Sequence, residues 1–355
     1  MTAVHVVVPD GIDDPSRPSG GNTYDRHLCR ELSSLGWAVH EHAVPGCWPR
    51  PEAGSIATLA DAVERVPDDG VVLLDGLVAS TAPGVLVPEA RRLRMVVLVH
   101  MPLGHRPVAD VAEEVRAGEG AVLAAAAAVV TTSAWSRGRL LELYTLPAHL
   151  VHVAEPGVEA AELATGTPAG GKLLCVGAVT FDKGYDVLLD ALAETSDLSW
   201  RCVCVGSLER DPSFVAALRR RGGDGGYGDR VELAGSRTGA DLDRSYATAD
   251  LVVLASRAET YGMVVTEALA RGLPVIATEV GGVTEALGQG ANGVRPGLLV
   301  PPGEPTHLGA ALRAWLSDAE LRERLRRAAR ERRDSLSRWS TTASVVARVL
   351  ADASR

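Results

Sequence analysis

The sequence has no excess of positive charge. Its 45 aspartates and glutamates outnumber its 36 lysines and arginines, and the formal net charge is −9. Proteins that bind nucleic acid normally gather phosphates on a basic face. The acidic balance therefore argues against a nucleic-acid partner, and a small soluble ligand fits the composition better.

The sequence also lacks an apolar run long enough to cross a bilayer. The longest run, residues 121–130, is rich in alanine and has about half of the ~20 residues that a spanning helix needs. It predicts a helix end that runs into a strand. Because residues 4–8 already have the pattern of a buried strand, with no basic leader before them, we expect a cytoplasmic protein without a transmembrane segment. A peripheral membrane contact stays open.

Cysteine is scarce. The five cysteines are scattered and odd in number, which excludes the disulfide framework of a small secreted protein. Cys202 and Cys204 are two apart in a predicted strand, where the period of two places both on one face. We interpret them as core residues, and a metal or redox pair is the alternative.

Short apolar runs alternate with amphipathic stretches throughout the chain. This pattern is typical of an α/β fold, with a parallel sheet and helices on both faces, and 355 residues with 46% hydrophobic content can support two such cores. The predicted strands of the first half are residues 4–8, 38–43, 71–74, 95–99, 129–132 and 150–153. Those of the second half are residues 173–176, 200–205, 230–233, 251–255, 274–277 and 297–300.

Residues 165–171 are rich in glycine and small residues and contain a proline, which predicts a linker. We therefore expect an N-terminal domain over residues 1–165 and a C-terminal domain over residues 170–335. The expected N-terminal domain holds the acceptor and the C-terminal domain the donor.

The most informative segment spans residues 256–278. It follows a strand, turns at Gly262, enters a helix and leaves at Gly272 into another strand. Ligands of open α/β sheets bind at the carboxyl end of a strand and the first turn of the next helix. The backbone at Tyr261, Gly262, Met263 and Val264 would suit a diphosphate, because a helix start offers N–H groups and positive potential.

Two glutamates of this segment are candidate ligand-binding residues. Glu259 lies in the loop and Glu267 lies one to two turns into the helix. A carboxylate can accept two hydrogen bonds from a ribose diol, and a second carboxylate nearer the strand can hold sugar hydroxyls. The alternative is that both are surface residues of an ordinary strand and helix.

The sequence resembles the retaining glycosyltransferases of the GT-B fold, in particular the large family four (glycosyl transferases group 1). That family includes sucrose-phosphate synthases and phosphatidylinositol mannosyltransferases. The resemblance extends over nearly the whole chain. Its motifs are Glu259 to Glu267 as E-x7-E, residues 272–277, Gly281-Gly282 with Glu285, Gly20-Gly21, Val176-Gly177 and Lys183-Gly184.

The resemblance implies two Rossmann-like, doubly wound domains that face a cleft, with a C-terminal helix over residues 339–355 that crosses back to the first domain. It implies that Glu267 holds the donor ribose and that Glu259 lies beside the transferred sugar. It also implies a nucleoside diphosphate sugar as donor, transfer without a metal ion, and no protein nucleophile.

Gly20-Gly21-Asn22 follows the first strand and precedes a helix. Glycine lets the backbone approach a charged ligand closely, so a phosphate contact is one interpretation and a tight turn is the other. Asn22 would orient the ligand. The absence of G-x-G-x-x-G at this turn removes the main support for a nicotinamide-dependent dehydrogenase.

Lys183 follows a strand, where an ammonium group can neutralise a diphosphate leaving group. A solvated turn lysine is the alternative, and the match to the family lysine favours the catalytic role. The family usually has arginine directly after the glycine at position 177, where this chain has Ala178. The candidates to replace that cation are Arg237, Arg257 or a residue of the first domain.

His100 ends the predicted strand 95–99, where it could donate a hydrogen bond into the cleft. A core or capping histidine is the alternative. By resemblance, His100 binds the transferred sugar. His100 and His105 could also be considered as metal ligands, but the sequence offers no evident third ligand. Asp75 is a weaker candidate on the acceptor side, with a turn aspartate as the alternative.

Asp241-Leu242-Asp243 has the D-x-D form of the metal site in the other major glycosyltransferase fold. It follows Thr238-Gly239 and opens a helix, where acidic residues complement the helix dipole. We therefore predict no metal cofactor.

The sequence as a whole predicts a retaining glycosyltransferase that moves a hexosyl unit from a UDP-, GDP- or ADP-sugar to an acceptor. The base, the sugar and the acceptor depend on a few loop contacts. Two alternatives are a nucleotide-sugar epimerase of the same fold and a non-catalytic nucleotide-sugar binding protein. An epimerase would consume the donor without an acceptor, and a binding protein would show no turnover.

Overall fold

The computed structural model describes residues 2–14, 18–105, 113–224 and 228–355. The chain divides into two units. The first contains Met1–Asp14, Ser19–Gly157 and Ser337–Arg355, and the second contains Val158–Leu336.

The first unit has a parallel six-stranded sheet with strand order β2-β1-β3-β4-β5-β6. Its strands coincide with the six that were predicted, because runs of buried valine and leucine favour strands covered on both faces. The strands are β1 (Ala3–Pro9), β2 (Ala38–Val44), β3 (Val71–Asp75), β4 (Arg94–Val99), β5 (Ala128–Thr131) and β6 (Val151–Val153).

The helices of the first unit connect successive strands. Side chains cap several of them, as for α1, where the Ser19 side chain accepts from the Asn22 N–H, and α3, where Asp75 accepts from Leu77. The helices are α1 (Gly20–Ser34), α2 (Ala53–Glu64), α3 (Gly76–Ala79), α4 (Pro83–Glu89), α5 (Glu113–Ala125) and α6 (Ala134–Leu143). The apolar run 121–130 is the end of α5 leading into β5, as predicted.

The second unit repeats the architecture, with a parallel sheet of order β12-β11-β10-β7-β8-β9. Its strands are β7 (Lys172–Val176), β8 (Arg201–Val205), β9 (Val231–Gly235), β10 (Leu251–Leu254), β11 (Val275–Thr278) and β12 (Gly297–Val300). Its helices are α7 (Tyr185–Ala193), α8 (Pro212–Asp224), α9 (Gly239–Ala247), α10 (Met263–Ala270), α11 (Val283–Leu287), α12 (Pro305–Ser317) and α13 (Ala319–Arg333). Within the described ranges, no helix combines the length and the apolar character that a membrane span requires.

The last helix, α14 (Trp339–Ala353), belongs to the first unit. The Trp339 ring stacks on His27 with 4.5 Å between centroids and meets the edge of Tyr24 at 5.4 Å. A Cβ on Gly157 would lie 2.2 Å from the Trp339 nitrogen, so this close passage of two chain segments requires glycine. The predicted return of the C-terminal helix to the first domain is confirmed.

The interpretation of the strand cysteines as core residues is supported. Cys175, Cys202 and Cys204 are buried in the core of the second unit, and the sulfur atoms of Cys202 and Cys204 lie 4.0 Å apart on one face of β8. All five cysteines of the chain are free thiols.

Residues 165–171, which were expected to link the domains, lie within the second unit. The buried carboxylate of Asp250, at the start of β10, accepts hydrogen bonds from the Thr167 N–H and from its hydroxyl at 2.6 Å. It also accepts from the Lys172 N–H at 2.8 Å. Arg326 donates to the Thr167 carbonyl, and Trp315 donates to the Gly170 carbonyl. The division between the units lies at Gly157 instead.

Asp250→Asn should destabilise the protein by about 2–3 kcal/mol. The substitution replaces one carboxylate oxygen by an NH2 group, which cannot accept the hydrogen bonds that this oxygen accepts in the wild type. The measurement is the melting temperature followed by circular dichroism. Asp197→Asn is the matched control, since Asp197 pairs with Arg313 at the surface, where an ion pair contributes little. Equal melting temperatures for the two variants would contradict a structural role of Asp250.

Candidate functional site

The loop between β10 and α10, together with the first turn of α10, contains the residues 261–264 that were predicted to bind the diphosphate of the donor. Gly262 has φ +94° and directly precedes Met263, the first residue of α10, while Tyr261 is buried. A Cβ on Gly281 would lie 1.5 Å from the Glu259 carbonyl oxygen, so this approach of two loops requires glycine. Glycines at the E-x7-E and Gly281-Gly282 motifs thus fix the backbone that presents Glu259 and the N-terminus of α10.

Lys183 and Glu259 lie together. The Lys183 ammonium group contacts Oε1 of Glu259, and the Ser256 hydroxyl donates to the same oxygen at 2.9 Å. The exposed fraction is 31% for the lysine side chain and 13% for the glutamate. Gly184, with φ +66°, ends the Lys183 turn and starts α7. The lysine is therefore a partly exposed turn residue that takes part in an ion pair.

Glu267 is held on α10 by a tyrosine and an arginine. The buried Tyr246 hydroxyl donates to Oε2 at 2.7 Å, and Arg271 lies over the Tyr246 ring and donates to the Glu267 backbone carbonyl. Burial raises the pKa of Glu267, while the Tyr246 hydrogen bond and the Arg271 charge oppose that rise. Within the part of the chain that the structure describes, Oε1 has no hydrogen-bond partner, so it can accept from a ligand.

Two arginines of the second unit, Arg257 and Arg237, were candidates to replace the arginine that the family usually has at position 178. Both are paired with other groups. Arg257 makes a bidentate ion pair with Asp186, in which each guanidinium nitrogen lies 2.8 Å from one carboxylate oxygen. It also donates to the Phe181 carbonyl. Arg237 donates to Glu232 and to the Ser245 hydroxyl. Burial raises the pKa of Asp186, but the hydrogen bond and charge of Arg257 outweigh it, so that pKa is lowered.

The two aspartates of the D-x-D motif each pair with an arginine. Asp241 contacts Arg244 one turn along α9, and Asp243 accepts from Arg271 at 2.5 Å. Both lie in the first turns of α9, as the helix-dipole interpretation predicts. Ion pairs of this kind support the structural interpretation of the motif.

In the first unit, His100 lies between two carboxylates. Its Nε2 atom is 2.9 Å from Oδ1 of Asp25 on α1 and 3.6 Å from Oδ2 of Asp75 at the end of β3. Oδ1 of Asp75 accepts from the Leu77 N–H at 2.6 Å. The structure thus brings the predicted residues His100 and Asp75 together and adds Asp25.

The charges of this cluster follow from burial and from mutual attraction. Burial alone would lower the pKa of His100, but the charge and hydrogen bond of Asp25, with the charge of Asp75, raise it to about 9. Burial, then the Asp25 charge, raises the pKa of Asp75 to about 7, against the opposing effect of His100. The two carboxylates therefore favour the protonated imidazole.

Asp25 is the residue that the sequence analysis missed. It occupies the buried face of α1 with Tyr24, Leu28 and Cys29, where the helical period calls for apolar residues. A charged residue in an apolar stripe needs a buried partner, and that is the sequence signal that points to it.

The segment Gly20-Gly21-Asn22 is the first turn of α1 and not a loop before it. The Asn22 N–H is bound to the Ser19 hydroxyl oxygen. A Cβ on Gly21 would lie 3.3 Å from Cδ2 of His100, so glycine here gives room to the histidine ring. This contact supplies a third reason for the glycine, besides a phosphate contact and a tight turn.

His105 does not join His100. Its Nδ1 accepts from Arg139 at 3.1 Å, and the ring meets the edge of Trp135. Burial, followed by the Arg139 charge, lowers the pKa of His105. These contacts give His105 partners other than His100, so they lend no support to the two histidines as paired metal ligands.

The chain matches known proteins in both sequence and fold. The family model described as "Glycosyl transferases group 1" matches residues 168–332. The chain is 34% identical over 223 residues to D-inositol 3-phosphate glycosyltransferase 1 of Catenulispora acidiphila, covering 57% of this chain and 52% of that one. It is 29% identical over 230 residues to mannosylfructose-phosphate synthase of Agrobacterium fabrum, covering 60% and 50%. The chain spans about half the length of these curated relatives.

Two solved structures share the fold over 99% of this chain. A sucrose-phosphate synthase from Thermosynechococcus elongatus has a TM-score of 0.81 at 20% identity, over 99% of its own length. HepE from Anabaena, in complex with UDP and glucose, has a TM-score of 0.79 at 18% identity over its whole length. Residues 168–332 therefore belong to the glycosyl transferases group 1 family, and the chain has the GT-B fold, which confirms the family and fold predicted from the sequence.

Proposed function

We propose that this chain is a retaining glycosyltransferase that moves a hexosyl unit from a nucleoside diphosphate sugar to an acceptor, without a metal ion. The observation that carries the proposal is the ion pair of Lys183 with Glu259 inside the family-matched segment. It joins a cation for a leaving group to a carboxylate for sugar hydroxyls at the carboxyl ends of β7 and β10, where ligands of such sheets bind.

The donor nucleotide would be held by Glu267 and the start of α10. Tyr246 occupies Oε2 of Glu267, and Oε1 would accept from a ribose hydroxyl. The N–H groups of a first helical turn have no acceptor inside the helix, so those at Met263 and Val264 suit the diphosphate. Gly262 allows the turn that directs them.

Lys183 would change partner when the donor binds. A diphosphate brings more negative charge than Glu259 alone, so the ammonium group would shift toward the phosphates and leave Glu259 for the sugar hydroxyls. Cleavage of the anomeric bond places charge on the diphosphate, which Lys183 and the α10 N–H groups would stabilise. The acceptor attacks from the face that the leaving group departs, and a donor phosphate oxygen takes its proton.

The acceptor is proposed to be a phosphorylated cyclitol or sugar. This rests on the names of the relatives, which include D-inositol 3-phosphate glycosyltransferases and a mannosylfructose-phosphate synthase. UDP is the first nucleotide to test, because the HepE structure was obtained with UDP and glucose. Within the first unit, His100 would contact the transferred sugar. A cytoplasmic location stays a prediction.

Transfer itself is the direct test. UDP-, GDP- and ADP-hexoses would be incubated with inositol phosphates, sugar phosphates and their unphosphorylated counterparts, and the products followed by proton NMR. We expect a glycoside with the anomeric configuration of the donor, at a rate that EDTA does not change. Epimerised donor in the absence of acceptor, or binding without turnover, would overturn the proposal. A rate lost with EDTA and restored by Mn²⁺ would overturn metal independence.

Glu267→Ala should weaken binding of the free nucleoside diphosphate by about 1.5–3 kcal/mol, because ribose hydroxyls lose a charged acceptor. This corresponds to roughly ten- to hundred-fold in the dissociation constant, measured by titration calorimetry. Glu259→Ala is the comparison, since it should reduce turnover more than nucleotide affinity. Unchanged affinity in Glu267→Ala would contradict the ribose assignment.

Lys183→Ala should reduce kcat/KM by about 10²-fold, the scale of losing one oriented electrostatic donor. Lys172, the only other lysine of the chain, has an exposed side chain at the start of β7 and gives a matched control in Lys172→Ala. Near-normal activity and diphosphate affinity in Lys183→Ala would mean that the phosphate site lies elsewhere.

Ala178→Arg should tighten nucleoside diphosphate binding if its side chain reaches the phosphates.

A further inference from the structure

Asp25 is a buried carboxylate on the apolar face of α1. It is 3% exposed, and its helix neighbours Tyr24 and Leu28 are fully covered. A buried carboxylate is costly unless a partner compensates its charge. The compensation here is one contact, from Oδ1 to Nε2 of His100 at 2.9 Å. Its other oxygen, Oδ2, is buried without a hydrogen-bond partner among the described residues.

The same contact fixes which way the His100 ring faces. Nε2 lies 2.9 Å from Oδ1 of Asp25 and 3.6 Å from Oδ2 of Asp75. A proton on Nε2 is therefore directed at carboxylate oxygens. The ring is confined by Gly21 on one side and by the edge of Tyr24, with 5.2 Å between centroids. In the part of the chain that the structure describes, Nδ1 has no hydrogen-bond partner, so it is the nitrogen that a ligand can reach.

We propose that Asp25 is a positioning residue that, with Asp75, holds His100 as an imidazolium and directs its Nδ1–H toward the substrate. This rests on the proposed function, in which His100 contacts the transferred sugar. A neutral imidazole with its proton on Nε2 would offer only a lone pair at Nδ1, whereas the imidazolium donates. His100 is then a charged hydrogen-bond donor and not a general base.

The surroundings of His100 favour this charge state. Among the described residues, the ionisable groups next to His100 are Asp25 and Tyr24 of α1 and Asp75, the last residue of β3. Tyr24 donates to the Ala154 carbonyl, and burial raises its pKa, so it stays neutral. Asp25 lies 2.9 Å from Nε2 of His100, and Asp75, at 3.6 Å, adds negative charge as the pH rises through its pKa of about 7, so these neighbours stabilise the imidazolium.

The first arm of the test is independent of activity. Isotope-labelled histidine would be followed by NMR as pH is raised, with the His100 signal assigned from His100→Gln. We expect His100 to lose its proton near pH 9 in the wild type. Asp25→Asn keeps the shape of the side chain and removes its charge, so the transition should move toward the ordinary histidine value of about 6.5. Asp61→Asn, exposed on α2 in the same unit, should leave it unchanged.

The second arm is the pH dependence of kcat/KM. A donor that needs the imidazolium works below the His100 pKa and fails as pH rises through it. Asp25→Asn should therefore cost about tenfold or more at pH 8.5 and little at pH 6, while a folding defect would lower activity at both. Circular dichroism of each variant gives the control for folding.

Three outcomes would overturn the proposal. The His100 transition could be unmoved in Asp25→Asn, activity could rise through that transition as a general base requires, or added Zn²⁺ could displace the proton and increase activity, which would make the cluster a cation site. If the chain transfers no sugar, the NMR arm still decides the Asp25–His100 contact, so the two failures are distinguishable.

Discussion

The carboxyl ends of parallel strands lie at one edge of a sheet. This constraint brings together the candidate residues of each unit, His100 with Asp75 and Lys183 with Glu259. In the first unit, His100 follows β4 and Asp75 ends β3, and these strands are neighbours in the sheet. In the second unit, Lys183 follows β7 and Glu259 follows β10, which are also neighbours. Residues 76 apart in sequence meet because the sheet order places their strands side by side.

Burial adds a second requirement, that a charge removed from water has a partner. Three carboxylates, Asp250, Glu267 and Asp25, have different partners that compensate for the loss of water. Asp250 accepts backbone and hydroxyl hydrogen bonds and thereby closes a loop, Glu267 takes the Tyr246 hydroxyl, and Asp25 takes the His100 imidazole. Asp250 has its oxygens occupied, whereas Glu267 retains an oxygen for a ligand. Occupied oxygens thus mark Asp250 as structural, whereas Asp25 also keeps an unpaired oxygen, but a buried one, and is assigned by its contact with His100.

The sequence predicted most of the architecture because strand signals are local. Runs such as residues 71–74 and 251–254 are buried on both faces and contain only valine and leucine, so their assignment needs no tertiary information. The residues of the E-x7-E motif were recognised for a similar reason, since one loop and one helix turn contain them. Asp25 was missed because its importance depends on His100, which is 75 residues further along the chain and directly follows β4.

The wrong assignment of residues 165–171 has the same physical origin. Glycines and a proline indicate that a segment is irregular, but they do not tell whether it is mobile or bound. Here the deciding partner is Asp250, 83 residues beyond Thr167, whose carboxylate accepts from the N–H and the hydroxyl of Thr167. Composition predicts local conformation, while long-range hydrogen bonds determine where a loop belongs.

The candidate cations of the two units share one design. Lys183 is paired with Glu259, and His100 is paired with Asp25, so each side chain is held in position before any ligand arrives. The pairs differ in exposure, and the difference matters for function. Lys183 is 31% exposed and can exchange Glu259 for a phosphate, whereas Asp25 is almost fully buried and stays with His100. The first pair therefore suits a step in which charge moves, and the second suits a fixed donor whose orientation must not change.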